Sequence, residues 1–332
     1  MAAITGDTAD LSVIQSRRVA VIGDYHGHGH AQALSLRDCG VDVLVGLPAE
    51  PADAVAGATD DGLPVAEPAQ AAAQADVVML LAADDTLRRH FDTDIAPNLA
   101  DGDALLLRSP VTVRYGLVKP PPTVDVGLVA PLAPGELARA QFVDGKGVPC
   151  LVAVDANVSG QAWPLVLAYA KAIGATRAGL VPTTFAEQAQ ASLFGEQAVR
   201  LGGVPALVRA AFEVLVAAGC GPEVAYVACL HELHETIERL YRGGLAGLRE
   251  GTPAEALYGG LTRGPLIAGD AVREELRGLL AEIVNGSFVA EWVAEDEAGR
   301  PTLRELVEQD DRHGIEQAGR RLRERMPWLD RR

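Results

Sequence analysis

The sequence predicts an α/β protein: a doubly wound parallel sheet over residues 1–182, then an all-α domain over 183–332. Two observations carry that reading. Short β-branched runs alternate with helical stretches between residues 18 and 155, and long amphipathic patterns take over after about residue 183. Buried apolar strands separated by crossovers stack side by side in parallel with helices on both faces. RVAVIG (Arg18–Gly23) reads as the first strand, followed by a helix around Ala31–Cys39. VDVLVGL (Val41–Leu47), ADVVMLLA (Ala75–Ala82), ALLLRS (Ala104–Ser109), DVGLVAP (Asp125–Pro131) and PCLVAVD (Pro149–Asp155) continue the series. KPPPTVD and GKGVP fit surface loops. In the second half, FAEQAQASLFGEQAVRL, VPALVRAAFEVLVAAG, EVAYVACLHELHETIERLYRGG and AVREELRGLLAEIVNG read as helices. Gly219–Cys220–Gly221–Pro222 and Gly243–Gly244 read as stops between them.

Composition narrows the partners. The 332 residues carry 45 Asp and Glu against 29 Lys and Arg, a formal charge of −16 with only three lysines. That balance argues against a sequence-independent nucleic-acid binder or an anionic membrane surface, both of which need a basic face. The longest apolar run, Val77 to Ala83, is seven residues, far short of a membrane span. MAAITGDTADLSVIQSRR has no apolar signal core, so a cytoplasmic protein acting on a small molecule is expected. Cys39, Cys150, Cys220 and Cys229 stand far apart without a CxxC pair and read as reduced, small apolar residues.

The turn after the first strand is Gly23-Asp-Tyr-His-Gly27-His-Gly29-His30. A glycine-rich strand-to-helix turn lets backbone amides and a helix N-terminus meet a pyrophosphate, as in a Rossmann-like domain. The spacing is GxxxGxG where GxGxxG is usual, so the middle glycine is displaced. Gly23, Gly27, Gly29 and His30 are the candidate dinucleotide residues. His26, His28 and His30 alternate, a pattern that can hold a metal but more often marks a polar loop. After the second strand comes Pro48-Ala-Glu50-Pro-Ala-Asp53, with no Arg, Lys or Ser for a 2′-phosphate. Glu50 or Asp53 can instead accept from a free ribose, which favours NAD(H) over NADP(H).

Over residues 18–329 the sequence resembles the short-form (class I) ketol-acid reductoisomerases. The resemblance lies in VAVIG…GHAQALSLRDCGVDVLVGL, IAPNLADGDALLL, YGLVKPP…DVGLVAP, GKGVPCLVAVD and AYAKAIGATRAGLVPTTF, and continues through LFGEQAVRLGGVPALV, CLHELHETIERLYRGGLAGLRE and GRP…RMPWL. It implies a Rossmann-type domain joined to an interlocked, knotted helical domain in a homodimer. It also implies NAD(P)H, and two Mg²⁺ ions that support alkyl migration before reduction.

The resemblance further implies four metal carboxylates, in two i, i+4 pairs that each share a helix face. One pair is Asp-Leu-Phe-Gly-Glu in the family and Ser192-Leu-Phe-Gly-Glu196 here. The other is Glu-Cys-Leu-His-Glu and here Ala228-Cys-Leu-His-Glu232. The family's acidic stretch ahead of the first motif is Glu187-Gln-Ala-Gln190, its His-Gly-Phe-Asn is Ser109-Pro-Val-Thr112, its lysine after VAP is Leu132, and its substrate serine falls near Pro253. The expectation is a lost dinuclear site, with Glu196 and Glu232 binding at most one Mg²⁺ or serving as an acid–base pair in a partly buried cleft. His234, in place of a family lysine, is a further candidate ligand, and His231 reads as a packed neighbour. The expected activity is reduction or oxidation of a different carbonyl or imine, without alkyl migration, in specialised metabolism. The alternatives are a cofactor-independent cyclase or proton-transfer enzyme, and a non-catalytic relative.

Overall fold

The computed structural model describes residues 9–329, apart from residues 24, 51, 82 and 83 and the side chains of 84 and 85. Residues 1–8, the Asp24 of the glycine turn, the Pro51 of the loop after the second strand and the Ala82 end of the third expected strand therefore lie outside the described residues. The chain divides into two compact units, one ending at Ala189 and the other beginning at Gln190.

The first unit is an eight-stranded sheet with helices on both faces. In chain order it runs α1 (Ser12–Gln15), β1 (Arg18–Ile22), α2 (His30–Asp38), β2 (Asp42–Gly46), α3 (Ala52–Asp60), β3 (Val65–Ala66), α4 (Pro68–Ala73), β4 (Val77–Leu80) and α5 (Asp84–His90). It continues with β5 (Ala104–Leu107), α6 (Val111–Arg114), β6 (Asp125–Pro131), α7 (Gly135–Val143), β7 (Cys150–Ala156), α8 (Ala162–Ala172) and β8 (Leu180–Pro182). The spatial order is β3-β2-β1-β4-β5-β6-β7-β8. Alternate residues of each strand face opposite cores. Val19 and Val21 of β1 join Val43, Val45, Val77, Met79 and the α8 residues Leu165 and Tyr169. Ala20 and Ile22 join Leu44, Val78, Leu105, Leu107, Leu128 and the α4 alanines Ala71 and Ala72. Both faces being apolar, the strands read as unbroken hydrophobic runs.

The six expected strands are all present, one of them differs in direction, and two short strands join them. β3 and β8 have two and three residues, too short to leave a periodic signal. β7 runs antiparallel to β6, with Pro131 opposite Cys150, so the sheet is not wholly parallel as expected. The reason lies in α7. Its first residue, Gly135, rests on the Gly27–His28 backbone at the carboxyl edge of the sheet. The chain therefore never crosses back along a face and re-enters from the edge at which β6 ended, with the Leu132 amide donating to the Pro149 carbonyl at 2.8 Å.

The second unit is all helical. It takes the end of α9 (Phe185–Gly195), then α10 (Gly203–Ala217), α11 (Pro222–Tyr226), α12 (Leu233–Arg249), α13 (Ala254–Ile267), α14 (Asp270–Asn285), α15 (Ser287–Glu297), α16 (Pro301–Arg312) and α17 (Gly314–Arg323). The expected stop at Gly219–Pro222 separates α10 from α11. At Gly243–Gly244 the helix kinks at Gly244 (φ 59°, ψ −159°), and Arg239 holds the reversal by donating to the Gly247, Leu248 and Glu250 carbonyls. Val208, Phe212, Ala225, Tyr226, Ile315 and Ala318 form a small core. Much of the remaining apolar surface is open: Tyr241 is 84% exposed and Leu266 80%. Among the described residues no helix is long and apolar enough to cross a membrane.

Candidate active site

The glycine turn leaves β1 where the strand order reverses between β2 and β4. In open α/β sheets such a switch point opens a crevice at the carboxyl ends of the strands. The Gly23 amide donates to the Gly46 carbonyl at 3.2 Å, and Gly23 then turns away with φ 121°. Gly27 (φ 66°, ψ −107°) takes a backbone shape that L side chains rarely adopt. No atom lies within 4 Å of where its Cβ would project, so the space beside the turn is open. Gly29 is buried and leads into α2 at His30. Beside the turn, a cleft of about 230 Å³ is lined by Gly23, Pro48, Pro68, Leu87, His90 and Phe91. A backbone cradle at a helix N-terminus beside a largely apolar cleft fits a dinucleotide, the cradle for its pyrophosphate and the cleft for a flat ring system.

The acids near this turn are tied to it. His26 Nε2 lies 3.6 Å from Asp53 Oδ2 near the start of α3, and both side chains are largely in solvent. His30 Nε2 lies 3.2 Å from Asp61 Oδ2, and the buried Tyr25 hydroxyl donates to the same oxygen at 2.7 Å. Burial, then that hydrogen bond, pushes the Tyr25 phenol well above its ordinary range. Glu50 stands exposed after β2. His26 and His30 thus each face a single carboxylate; among the described residues no three His, Cys, Asp or Glu side chains gather as a metal cluster. Sequence reasoning missed Tyr25 and Asp61, which lie 36 residues apart and share no motif.

Both acid motifs belong to the helical unit, and both sit at a wide helical turn. After α9, residues Glu196–Arg200 form a π-turn in which the Leu201 amide donates to the Glu196 carbonyl at 2.8 Å. The turn depends on Gly202 and Gly203: a Cβ on either would collide with the carbonyl oxygen of Gln197 or Ala198. Residues Val227–His231 form a second π-turn, closed by the Glu232 amide on the Val227 carbonyl at 3.0 Å. Single π-turns inside helices recur at functional sites. EVAYVACLHELHETIERLYRGG is therefore two helices and a bulge, not the single expected helix.

Around Glu196 the arrangement does not suit a divalent ion. Ser192 Oγ donates to Glu196 Oε1 at 3.4 Å, and Arg200 Nη2 donates to the same oxygen at 3.0 Å. A guanidinium already pairs with one carboxylate oxygen, and Ser192 and Ala228 bring no anionic oxygen. Glu232, Ala228, His231, His234 and Glu235 are exposed in the single chain, where a partly buried cleft at Glu232 and a packed His231 were expected. The residues present do not fit a dinuclear Mg²⁺ centre. Of the other replaced positions, Thr112 is fully buried in α6, Pro253 caps α13, and Leu132 is 55% exposed at the carboxyl edge beside α7.

A sheet whose order begins 3-2-1-4-5-6, with a glycine turn at its switch point, in a chain that also carries an all-helical unit, defines a nicotinamide-nucleotide oxidoreductase of Rossmann type. The family models resolve the class further. Residues 13–179 match the acetohydroxy acid isomeroreductase NADPH-binding domain and residues 185–328 the ketol-acid reductoisomerase C-terminal domain. The chain is 53% identical over 323 residues to a ketol-acid reductoisomerase (NADP⁺) of Saccharopolyspora erythraea, covering 97% of each chain. It is 48% identical over 325 residues to the enzyme of that name from Mycobacterium avium, covering 98% of this chain and 97% of that one. The structure of an NADH-preferring ketol-acid reductoisomerase from an uncultured archean superposes with a TM-score of 0.88 at 36% identity, covering 98% and 99% of the two chains. The chain belongs to the ketol-acid reductoisomerase family.

Proposed function

We propose that this family member is an NADH-dependent reductase of a small carbonyl or imine substrate that has given up the metal-assisted alkyl migration. The carrying observation is at Glu196, where a serine hydroxyl and an arginine guanidinium both donate to Oε1 and no second carboxylate stands at Ser192 or Ala228. Gly23, Gly27 and Gly29 would lie along the pyrophosphate, with His30 at the head of α2. NADH, when bound, supplies the hydride. The chain's own residues orient the dinucleotide and handle protons: Glu196 and Glu232, the two acids left in the motifs, are the proton carriers of this reading. The NADH preference rests on Glu50 and Asp53, acids where a 2′-phosphate would need a cation. Among the relatives, the archaeal enzyme at 36% identity prefers NADH, whereas the two bacterial ones at 53% and 48% use NADP⁺.

The open apolar side chains of α12 and α13, Tyr241, Leu245, Leu261 and Leu266 among them, support a homodimer in which a second copy covers them. Calorimetry tests the reading directly. NADH is expected to bind, NADPH to bind at least tenfold more weakly, and Mg²⁺ to give no heat. The double variant S192D/A228E is expected to gain Mg²⁺ binding. Turnover of 2-acetolactate by the unmodified protein with Mg²⁺ and NADPH would overturn the reading.

A further inference from the structure

We propose that Asp61 is the positioning residue of the dinucleotide turn, a fixed post to which the turn and α2 are both tied. The inference rests on the dinucleotide reading of that turn. Asp61 follows α3, and its backbone is set by the helix end. Its amide donates to the Gly57 carbonyl at 3.1 Å, and the Gly62 (φ 75°) and Leu63 amides close back on Thr59 and Ala58. From this position the residue makes three contacts. Its carboxylate accepts from Tyr25 at the start of the turn and faces His30 at the first residue of α2. Its carbonyl accepts from Arg37 Nη1, two turns further along α2, at 2.6 Å. The Tyr25 ring meets the His30 ring edge-on, 5.4 Å between centroids, and packs over Gly57 of α3.

The geometry matters because the turn is rich in glycine, and Gly135 of α7 supports its backbone only at Gly27–His28. It contains three glycines, one of them with φ 66°, and the space beside Gly27 is open. Glycines lose the most freedom on ordering, so a turn built from them binds tightly only if something else orders it first. Asp61 does so by fixing the side chains on either side of the glycines. The carboxylate itself has no need to touch the ligand.

The test compares wild type, D61A, D61N and Y25F, each shown folded by circular dichroism at the temperature used. Binding of NADH, ADP and adenosine is measured by calorimetry or competition. D61A, which removes every acceptor of the side chain, is expected to weaken NADH and ADP roughly tenfold, the scale of one to two hydrogen bonds. D61N, whose amide oxygen still accepts from Tyr25, is expected to stay within about threefold of wild type, and Y25F to fall between. Adenosine, which has no phosphate for the turn, is expected to change less than about twofold in every variant. NADH binding by D61A within twofold of wild type overturns the proposal. So does an equal loss for adenosine, which would mean general disruption. Wild type that binds neither NADH nor ADP overturns the dinucleotide reading itself.

Discussion

The two units bury their apolar residues in opposite ways. In the sheet unit, β1, β4, β5 and β6 are covered on both faces, and residues such as Leu105, Leu106 and Leu128 are inaccessible to solvent. Among its described residues the helical unit has more large apolar side chains in the open than in its core. A sheet wrapped by helices closes its own core, whereas an amphipathic helix needs a facing surface and α12 to α16 find little of one within the unit. The first unit closes its core within itself, whereas the second leaves apolar faces that the proposed second copy would cover.

The largest expected effect tests that proposed covering. Leu266→Arg places a charge where a second copy is proposed to pack, and twofold symmetry makes the loss occur twice, roughly 3–6 kcal/mol in all. Sedimentation should show a monomer at concentrations at which the wild type is a dimer. A wild type that is itself monomeric breaks the comparison, leaving the open faces of the helical unit uncovered. Next comes a matched pair of deletions. Leu128→Ala in the sheet should cost about 2–5 kcal/mol in urea unfolding, by lost burial plus a cavity. Leu261→Ala, 65% exposed, should cost under about 0.5 kcal/mol in a monomeric background. A smaller effect, about 1–3 kcal/mol, is expected from Gly203→Ala, whose methyl meets the Ala198 carbonyl and must unwind the π-turn.

How much of this was legible in the sequence follows from range. The strands of the sheet are local, apolar and bounded by turn residues, and six of eight could be read with ends correct to within a few residues. The direction of β7 could not, because it is set by Gly135 meeting Gly27, 108 positions apart in sequence. The acid motifs were legible as i, i+4 pairs, with the missing acids visible at Ser192 and Ala228. Their π-turns were not, since a five-residue step looks like any helix until Gly202 and Gly203 are seen against the carbonyls behind them. The Tyr25–Asp61 link escaped for the same reason as β7: a lone tyrosine and a lone aspartate carry no periodicity. What the sequence hid was contact between segments, and both the proposed cofactor post and the proposed dimer face are of that kind.

The smallest expected effect probes whether the Glu196 pair is as open as the single chain makes it. Arg200 is 60% exposed and Glu196 41%, and the pair has i, i+4 spacing with the acid N-terminal, the favourable order on a helix. Such a pair in water is worth about 0.3–0.5 kcal/mol and is screened at high salt. Arg200→Ala should therefore lower unfolding stability by no more than that, with the difference vanishing in 1 M NaCl. If the second copy covers this turn, water is excluded and the same deletion leaves a carboxylate buried without its cation, which costs several times more and resists salt. Measuring R200A in both the wild-type and the Leu266→Arg background separates the cases. A cost that is large in the dimer and small in the monomer would place Glu196 inside the assembled cleft, where a carboxylate can do acid–base work.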